Sequence, residues 1–176
     1  FFEASVGGGI PIIRPLHQCL SANRIDEIAG ILNGTTNFIL TKMIRDNMAF
    51  DDALKTAQEL GYAERNPSAD VDGIEGITKI TPEDVAYCEN FGGSIKLIGW
   101  ASRQEDGKVA VMVCPAFIHE DSQLAGVNDV FNAILVRGDS TGDVVFYGKG
   151  AGKLPTASAV VADVVIAVKM NSSSKS

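Results

Sequence analysis

The chain has 176 residues, of which 45% are hydrophobic and 21% are charged, and its formal net charge is -7. This composition excludes a disordered chain and lets one domain, or one domain with an appendage, bury a core. The acidic balance argues against a nucleic-acid-binding surface, because such a surface requires a basic face. No unbroken run of about 18 apolar residues is present, so we expect no membrane-spanning segment.

Three cysteines lie far apart in the sequence, without the Cys-x-x-Cys spacing of a metal or redox motif. Cys19, Cys88 and Cys114 therefore predict buried free thiols in a reducing compartment, and we expect a cytoplasmic protein. The first residues also lack the basic region of a signal peptide.

The first ten residues predict the end of a strand, at residues 1–5, and then a tight glycine turn. The three consecutive glycines at 7–9 permit positive φ or a close approach of the backbone to a neighbour. Their spacing differs from the GxGxxG of a dinucleotide-binding turn, so they predict a strand-to-helix turn rather than a phosphate loop. Pro11 is typical of a first helical position, and we expect a helix from there to about Asn23.

A strand candidate over residues 24–32 leads into the next helix, which residues 33–37 (Asn-Gly-Thr-Thr-Asn) open. We expect Thr35 or Thr36 to be its N-cap. A strand followed by a Gly-Thr turn and a helix N-terminus favours an anion such as a carboxylate or a phosphate. The alternative is an ordinary cap without a ligand.

Two further helices have clear starting residues. One is predicted from Phe50, with Asp51 as its N-cap and Gly61 as its stop. The other is predicted after Thr81, because a threonine cap is followed by Pro82 and then by acidic residues.

The stretch over residues 60–73 has no apolar periodicity and carries three acids, Glu64, Asp70 and Asp72. An irregular acidic segment is costly to order, because its backbone polar groups need partners. Our hypothesis is that it binds a small cationic group. The alternative is a solvated acidic connector.

The second half of the chain predicts four strands, a second glycine turn and a final helix. The strands pair as two hairpins and cover residues 94–101, 108–113, 130–137 and 143–147. The glycine turn lies at residues 148–152 and the helix at about 156–170. With the strand at 24–32, these elements predict an α/β fold in which helices cover one face of a mixed β-sheet.

Several of these segments, in this order, resemble homoserine dehydrogenases. They cover nearly the whole chain and are residues 3–13, 30–40, 57–64, 150–152 and 155–159, with Asn132-Ala133 as a further match. The resemblance implies an oxidoreductase of the aspartate pathway that interconverts L-homoserine and L-aspartate 4-semialdehyde with NADP or NAD. It also implies an amino-acid substrate and a homodimer.

The resemblance implies roles for individual residues of the substrate site. Glu64 matches the carboxylate that holds the substrate ammonium, and Asp70 matches a second acid of the pocket. Other substrate-contacting positions are matched by Gly34, Thr35 and Tyr62. The implied site therefore joins the acidic stretch to the start of the helix that follows Asn33.

Two further sites are implied in the same way. The turn that touches the cofactor is matched by Gly150, Ala151 and Gly152. A site for Na+ or K+, built largely from backbone carbonyls, is matched by Glu3, Val6, Gly8 and Ile10.

The resemblance also divides the chain into parts. Residues 1–10 are the end of a strand and a glycine turn, through which the chain exits the nucleotide-binding domain. Residues 11–152 form the substrate and dimerisation domain, and residues 153–176 form a C-terminal helix and a polar tail. In the family the nucleotide-binding domain precedes the position of Phe1. We therefore expect this chain to hold the substrate domain without most of the nicotinamide site.

The family continues its acidic loop as Gly-x-Asp-x-x-x-Lys, whose aspartate and lysine carry the proton transfer. Here Gly73 is followed by Ile74 and by residues that resemble a later family segment, so about one helix and its turn are missing. Glu75 and Lys79 match the pair only by count, which we interpret as coincidence, and the catalytic residues stay unassigned. We expect the isolated chain to be inactive; the alternative is a standalone amino-acid-binding or dimerisation module without redox activity.

Overall fold

The structure is a computed structural model that describes residues 2–62 and 76–173, and a five-stranded sheet forms its centre. The strands are β1 (Ile25–Ile31), β2 (Gly93–Arg103), β3 (Val109–His119), β4 (Phe131–Gly138) and β5 (Gly142–Lys149). Their order across the sheet is β3-β2-β1-β4-β5, and all four pairings are antiparallel, where the sequence predicts a mixed sheet. The reason is that β2–β3 and β4–β5 are hairpins, and β1 runs opposite to the strand that it meets in each.

Of the four described helices, the first three pack on one face of this sheet, and the last contacts the N-terminal segment. The helices are α1 (Gly34–Arg45), α2 (Phe50–Glu59), α3 (Pro82–Asn90) and α4 (Lys153–Ser173). The first three pack with Ile95 and Leu97 of β2 in one apolar cluster. On the same face, Ile10 and Ile12 of the N-terminal segment pack on Ile134 of β4. The α/β fold with helices on one face is therefore confirmed.

The opposite face of the sheet is covered in part by the segment between β3 and β4. Leu124 and Val127 of that segment pack with Ile98 in a second apolar cluster. Beyond them lies an apolar surface that we call the open face, lined by Trp100, Met112, Cys114 and Leu135. Helices do not cover the open face within the described residues.

Two of the predicted N-caps are wrong. α1 is capped by Asn33, whose Oδ1 accepts a hydrogen bond from the Thr36 N–H at 3.0 Å, rather than by Thr35 or Thr36. The backbone of Asn33 is extended, so the helix starts two residues earlier than a cap at Thr35 requires. The N-cap of α2 is Ala49, and Asp51 lies in the first helical turn, where its charge still favours the helix dipole.

Two other predicted helix boundaries are confirmed. The Thr81 hydroxyl accepts a hydrogen bond from the Asp84 N–H at 3.2 Å, and the Asp84 carboxylate accepts one from the Thr81 N–H at 2.9 Å. This reciprocal pair is a capping box. Gly61 ends α2 with a φ of +75°, a conformation that glycine adopts without strain.

The N-terminal segment forms two short helical turns rather than the predicted strand and longer helix. Glu3–Ser5 is a 3-10 turn, so the expected end of a strand at residues 1–5 is wrong. Pro15–Cys19 is a π-helical turn, closed by a hydrogen bond of 2.9 Å from the Leu20 N–H to the Pro15 carbonyl. The helical region is much shorter than the predicted range of 11–23, because long-range contacts of Glu3 fix the residues before it.

α4 is apolar and exposed. The segment Lys153–Ser172 is long and apolar enough to cross a membrane, with a mean hydropathy of 1.4, and its apolar stretch contains no buried residue. We expected no segment of this length and composition. One such helix is weak evidence for a membrane segment, since helices of soluble proteins meet the same test. Asp163 of this helix accepts hydrogen bonds from the Glu3 N–H at 2.9 Å and from the Arg14 guanidinium at 2.5 Å. These bonds attach α4 to the N-terminal segment.

The three cysteines are free thiols, but their predicted burial is wrong. Cys19 is exposed, while Cys88 and Cys114 are half-buried. Partial burial, with a smaller contribution from the Asp84 carboxylate, raises the pKa of the Cys88 thiol. That thiol is therefore less often ionised at neutral pH, and a weaker nucleophile, than the thiol of a solvent-exposed cysteine.

Candidate functional site

A cleft of about 600 Å³ separates the N-terminus of α1 from the glycine turn that precedes α4. Among the residues that the structure describes, the cleft is lined by Leu32, Asn33, Gly34, Thr35, Gly61, Tyr62, Val130, Lys149, Ala151, Gly152 and Pro155. Three residues matched to substrate contacts thus line the same cleft as two residues matched to cofactor contacts. The fold brings these residues together although more than half of the chain separates them in sequence.

The first turn of α1 forms one wall of the cleft and suits an anion. Gly34 and Thr35 are the first helical residues, so their N–H groups have no partner within the helix. The first turn holds no acidic residue that would compensate the positive end of the helix dipole. A carboxylate or phosphate at this wall would therefore be stabilised.

Tyr62 is held against this wall by the way in which α2 ends. Its N–H donates to the Ala57 carbonyl at 2.8 Å, as in a Schellman motif. Its carbonyl accepts a hydrogen bond of 2.6 Å from the Thr35 hydroxyl, and its ring meets the Phe38 ring edge-on at 5.1 Å. The end of α2 and the start of α1 are therefore fixed to each other at the cleft.

The opposite wall is built from two glycine turns in direct contact. The Gly9 N–H donates to the Lys149 carbonyl at 3.3 Å, which joins the first turn to the second. A Cβ added to Gly8 would overlap the carbonyl oxygen of Gly150. The cofactor-matched turn is thus supported from behind by the turn that carries the cation-matched residues.

The carboxylate of Glu3 is buried and fully used by the protein itself. It accepts hydrogen bonds from the N–H groups of Ile12 at 2.6 Å, Ile13 at 2.8 Å and Arg14 at 2.9 Å. It also lies 3.2 Å from the Arg14 Nε. A cation at this position would therefore have to use backbone carbonyls. Across residues 2–62 and 76–173, no group of three or more His, Cys, Asp or Glu side chains could hold a metal ion.

Several predicted site residues lie outside the part of the chain that the structure describes. These are Glu64, Asp70 and Glu75. Lys79 is described: it is an exposed residue in the turn before α3, and it does not belong to the described lining of the cleft. Our interpretation that the match by count is a coincidence stays a prediction.

A buried lysine next to the site was missed by the sequence reasoning. The Lys96 ammonium donates to the Val127 carbonyl at 2.5 Å, to the Asn128 Oδ1 at 3.1 Å and to the Asn37 Oδ1 at 3.4 Å. The Asn37 amide donates in turn to three carbonyls within residues 127–131. This network ties α1 to the segment that enters β4, and so sets the position of one cleft wall. The only sequence signal is a lysine inside the apolar run Ile95–Ile98 of β2.

Comparison with known proteins gives one consistent result. The family model described as homoserine dehydrogenase matches residues 11–75 and 74–165. The chain is 46% identical to a homoserine dehydrogenase of Synechocystis sp., over 98% of this chain and 46% of that protein. The crystal structure of a homoserine dehydrogenase from Thiobacillus denitrificans superposes with a TM-score of 0.91 at 45% identity, over 98% of this chain and 46% of that one.

A more distant structure, of a hyperthermophilic archaeal homoserine dehydrogenase mutant in complex with NADPH, has a TM-score of 0.77 at 30% identity. It is matched over 97% of this chain and 56% of that one. The chain spans about half the length of the curated relatives that it matches.

The alignments also bear on the junction after Gly73. The alignment to the Synechocystis protein spans 200 positions, although it includes 98% of a chain of 176 residues. The family model matches in two segments that meet at residues 74–75. The first finding indicates additional positions in the relative, and the second supports the expectation that relatives carry additional residues at this junction.

Proposed function

The chain belongs to the homoserine dehydrogenase family, and from this premise we propose that it is the substrate-binding and dimerisation part of such an enzyme. The proposed reaction of the whole enzyme is the NAD(P)-dependent interconversion of L-homoserine and L-aspartate 4-semialdehyde, in cytoplasmic amino-acid biosynthesis. The observation that carries the proposal is the composition of the cleft, where Thr35 and Tyr62 face the turn of Ala151 and Gly152.

We propose that the two charged ends of L-homoserine bind to two different sets of groups. Its carboxylate suits the first turn of α1 at Gly34 and Thr35, where the N–H groups and the helix dipole favour an anion. Its ammonium requires a carboxylate, because an unpaired buried charge is costly, and Glu64 and Asp70 are the matched acids. Holding both ends orients the hydroxyl-bearing carbon for reaction. Glu64 is therefore an orienting group rather than a general base.

The cofactor supplies the hydride chemistry when NADP or NAD is bound. In this chain we propose that the turn of Gly150, Ala151 and Gly152 contacts it. This turn lines the cleft mainly with backbone, and Gly152 has a φ of +124°, a conformation that L side chains rarely adopt. A flat backbone surface lets a planar nicotinamide ring approach closely. The neighbour in complex with NADPH supports a cofactor of this class.

We also propose that a Na+ or K+ ion binds through backbone carbonyls of Glu3, Val6, Gly8 and Ile10. The Glu3 carboxylate cannot serve as the main ligand, because backbone N–H groups and Arg14 already occupy it. Hard monovalent cations favour oxygen ligands such as carbonyls. Titration of the chain with L-homoserine in NaCl, in KCl and in choline chloride tests this ion. Equal dissociation constants in all three salts would count against it.

Titration of the isolated chain with L-homoserine tests the proposed function. We expect a dissociation constant of about 1 mM or tighter. Glu64→Ala should weaken binding by about tenfold or more, because the ammonium would lose its carboxylate. Isothermal calorimetry measures both values. We expect no oxidation of L-homoserine in the presence of NADP, since the proton-transfer pair is unmatched.

The matched control for this titration is Glu59→Ala, which removes an exposed glutamate at the end of α2. It should bind L-homoserine like the unchanged chain. Equal loss in both variants would show a general effect of charge rather than an ammonium site. Turnover of L-homoserine by the isolated chain would contradict our reading of the junction after Gly73.

The open face favours dimerisation, which is also the second candidate function. Trp100, Met112 and Leu135 line an apolar surface on a sheet that is otherwise covered, and such a surface marks an association site. We propose that a second copy of the chain covers it. A chain that dimerises in solution but shows no heat with L-homoserine would be a dimerisation module without a substrate pocket.

A further inference from the structure

Asn132 lies between the two walls of the cleft and has no role in the proposed reaction so far. It is the second residue of β4, it is only 2% exposed, and it pairs with Gly148 of β5. Its side chain points to the same face of the sheet as Ile134, which is the face that carries the helices. The residue therefore lies beneath the cleft rather than on the open face.

The carboxamide of Asn132 touches both walls. A Cβ added to Gly150 would overlap this carboxamide, so the glycine turn packs directly on it. On the other side, a Cβ added to Gly34 would lie 3.3 Å from the Asn132 Oδ1 and 3.0 Å from the Val130 carbonyl. The start of α1 and the glycine turn are thus separated by one side chain, and each approaches it with a glycine.

Hydrogen bonds to the Oδ1 do not explain why an asparagine occupies this position. Its Oδ1 is buried and lacks a hydrogen-bond partner within the part of the chain that the structure describes. A buried polar atom without a partner is unfavourable, and a native protein rarely keeps one without a further reason. The contacts that the structure does show for this side chain are its packing against Gly34 and Gly150.

We infer that Asn132 is a positioning residue that sets the distance between the amino-acid-binding wall at α1 and the cofactor-facing turn before α4. This inference rests on the proposed function, since it assumes that ligand binds in this cleft. The residue acts through Gly34 and Gly150 rather than by contact with the reacting atoms. Its size and branching are then the properties that matter, more than its polarity.

Calorimetric titration with L-homoserine tests this role through two variants of one position. Asn132→Ala removes the spacer, and we expect about tenfold weaker binding because the walls move together. Asn132→Leu keeps the branching at Cγ and the number of side-chain heavy atoms, and we expect it to recover most of that loss. If the leucine variant binds as weakly as the alanine variant, polarity rather than spacing matters and the inference is wrong.

A double substitution tests the packing even where single variants fold poorly. Gly150→Ala should lower the midpoint of thermal unfolding strongly, because its Cβ has no room beside Asn132. In the Asn132→Ala background the same change should cost much less, since the space has been vacated. Additive shifts of the midpoint would show that the two residues do not pack together, and would overturn the inference.

The two readouts separate this inference from the proposed function. If the unchanged chain shows no heat with L-homoserine, the proposed function fails, while the thermal coupling still reports whether Asn132 spaces the walls. If the unchanged chain binds L-homoserine and both Asn132 variants bind equally well, the proposed function stands and the inference fails.

Discussion

Gly8→Ala is expected to destabilise the fold by about 4 kcal/mol, a large fraction of the roughly 5–15 kcal/mol that stabilises a typical domain. Two effects combine at this position. Gly8 has a φ of +56°, which costs an L-residue about 1–2 kcal/mol. The added Cβ would also overlap the Gly150 carbonyl oxygen, and backbone cannot move aside as a flexible side chain can. Urea unfolding, followed by circular dichroism, measures the difference.

Gly107→Ala is the matched control for this prediction. Gly107 lies in the β2–β3 turn with a φ of +82°, and no atom lies within 4 Å of an added Cβ. It therefore carries the backbone penalty without the collision, and we expect a loss of about 1–2 kcal/mol. Equal losses at the two positions would mean that the glycine turns do not pack on each other.

The second large effect concerns the pH dependence of stability. Burial, with a smaller contribution from the Arg45 charge, lowers the pKa of Lys96 to about 8, although the Asp129 carboxylate opposes the shift. The ordinary pKa of lysine is 10.5. Between these values the unfolded chain holds a proton that the folded chain has lost. Stability from this group therefore rises as the pH rises from about 8 to about 10.5, by roughly 3 kcal/mol.

Lys96→Met isolates this contribution. The variant lacks the titrating group but keeps an unbranched apolar chain, so we expect its free energy of unfolding to change less between pH 8 and pH 10.5. Urea unfolding at several pH values measures both slopes. Lys79→Met, at an exposed turn residue, should keep the slope of the unchanged chain. If Lys96→Met keeps that slope as well, the ammonium is better solvated than its burial indicates.

Much of the fold could be predicted from the sequence because its signals are local. Each of the five strands follows from an apolar run bounded by turn residues, and the capping box at Thr81 follows from Thr-Pro-Glu-Asp. The edge strand β3 runs longer than predicted and includes Pro115, which an edge strand tolerates because one side of it donates no ladder bonds.

The features that could not be predicted from the sequence depend on contacts between residues that are far apart in the chain. The segment at Glu3 is fixed by N–H groups of residues 12–14 and by Asp163, which is 160 residues away. The choice between Asn33 and Thr35 as a cap depends on where the chain leaves β1, since both side chains can accept a hydrogen bond. The burial of Lys96 depends on the carbonyl of Val127. In each case the deciding contact joins residues that no short-range pattern relates.

Part of the candidate site was predicted from the resemblance to homoserine dehydrogenases rather than from a local sequence pattern. Gly34, Thr35 and Tyr62 were matched residue by residue, and the structure brings them to one cleft with Ala151 and Gly152. Asn132 belongs to a matched motif, but only the geometry gives it a role. A carboxamide between two glycines cannot be recognised from its neighbours in sequence, because Gly34 and Gly150 are remote from it along the chain.

The central place of β1 in the sheet has a consequence for how the chain folds. Ile28 lies opposite Ala101 on one side and Val136 on the other, so its partners are 73 and 108 residues later in the chain. The β2–β3 and β4–β5 hairpins, by contrast, close over short turns. A long loop loses conformational entropy when it closes, before its ends form stabilising contacts, and this slows folding. During synthesis, β1 leaves the ribosome before the other four strands and gains its second neighbour only after β4 has been made.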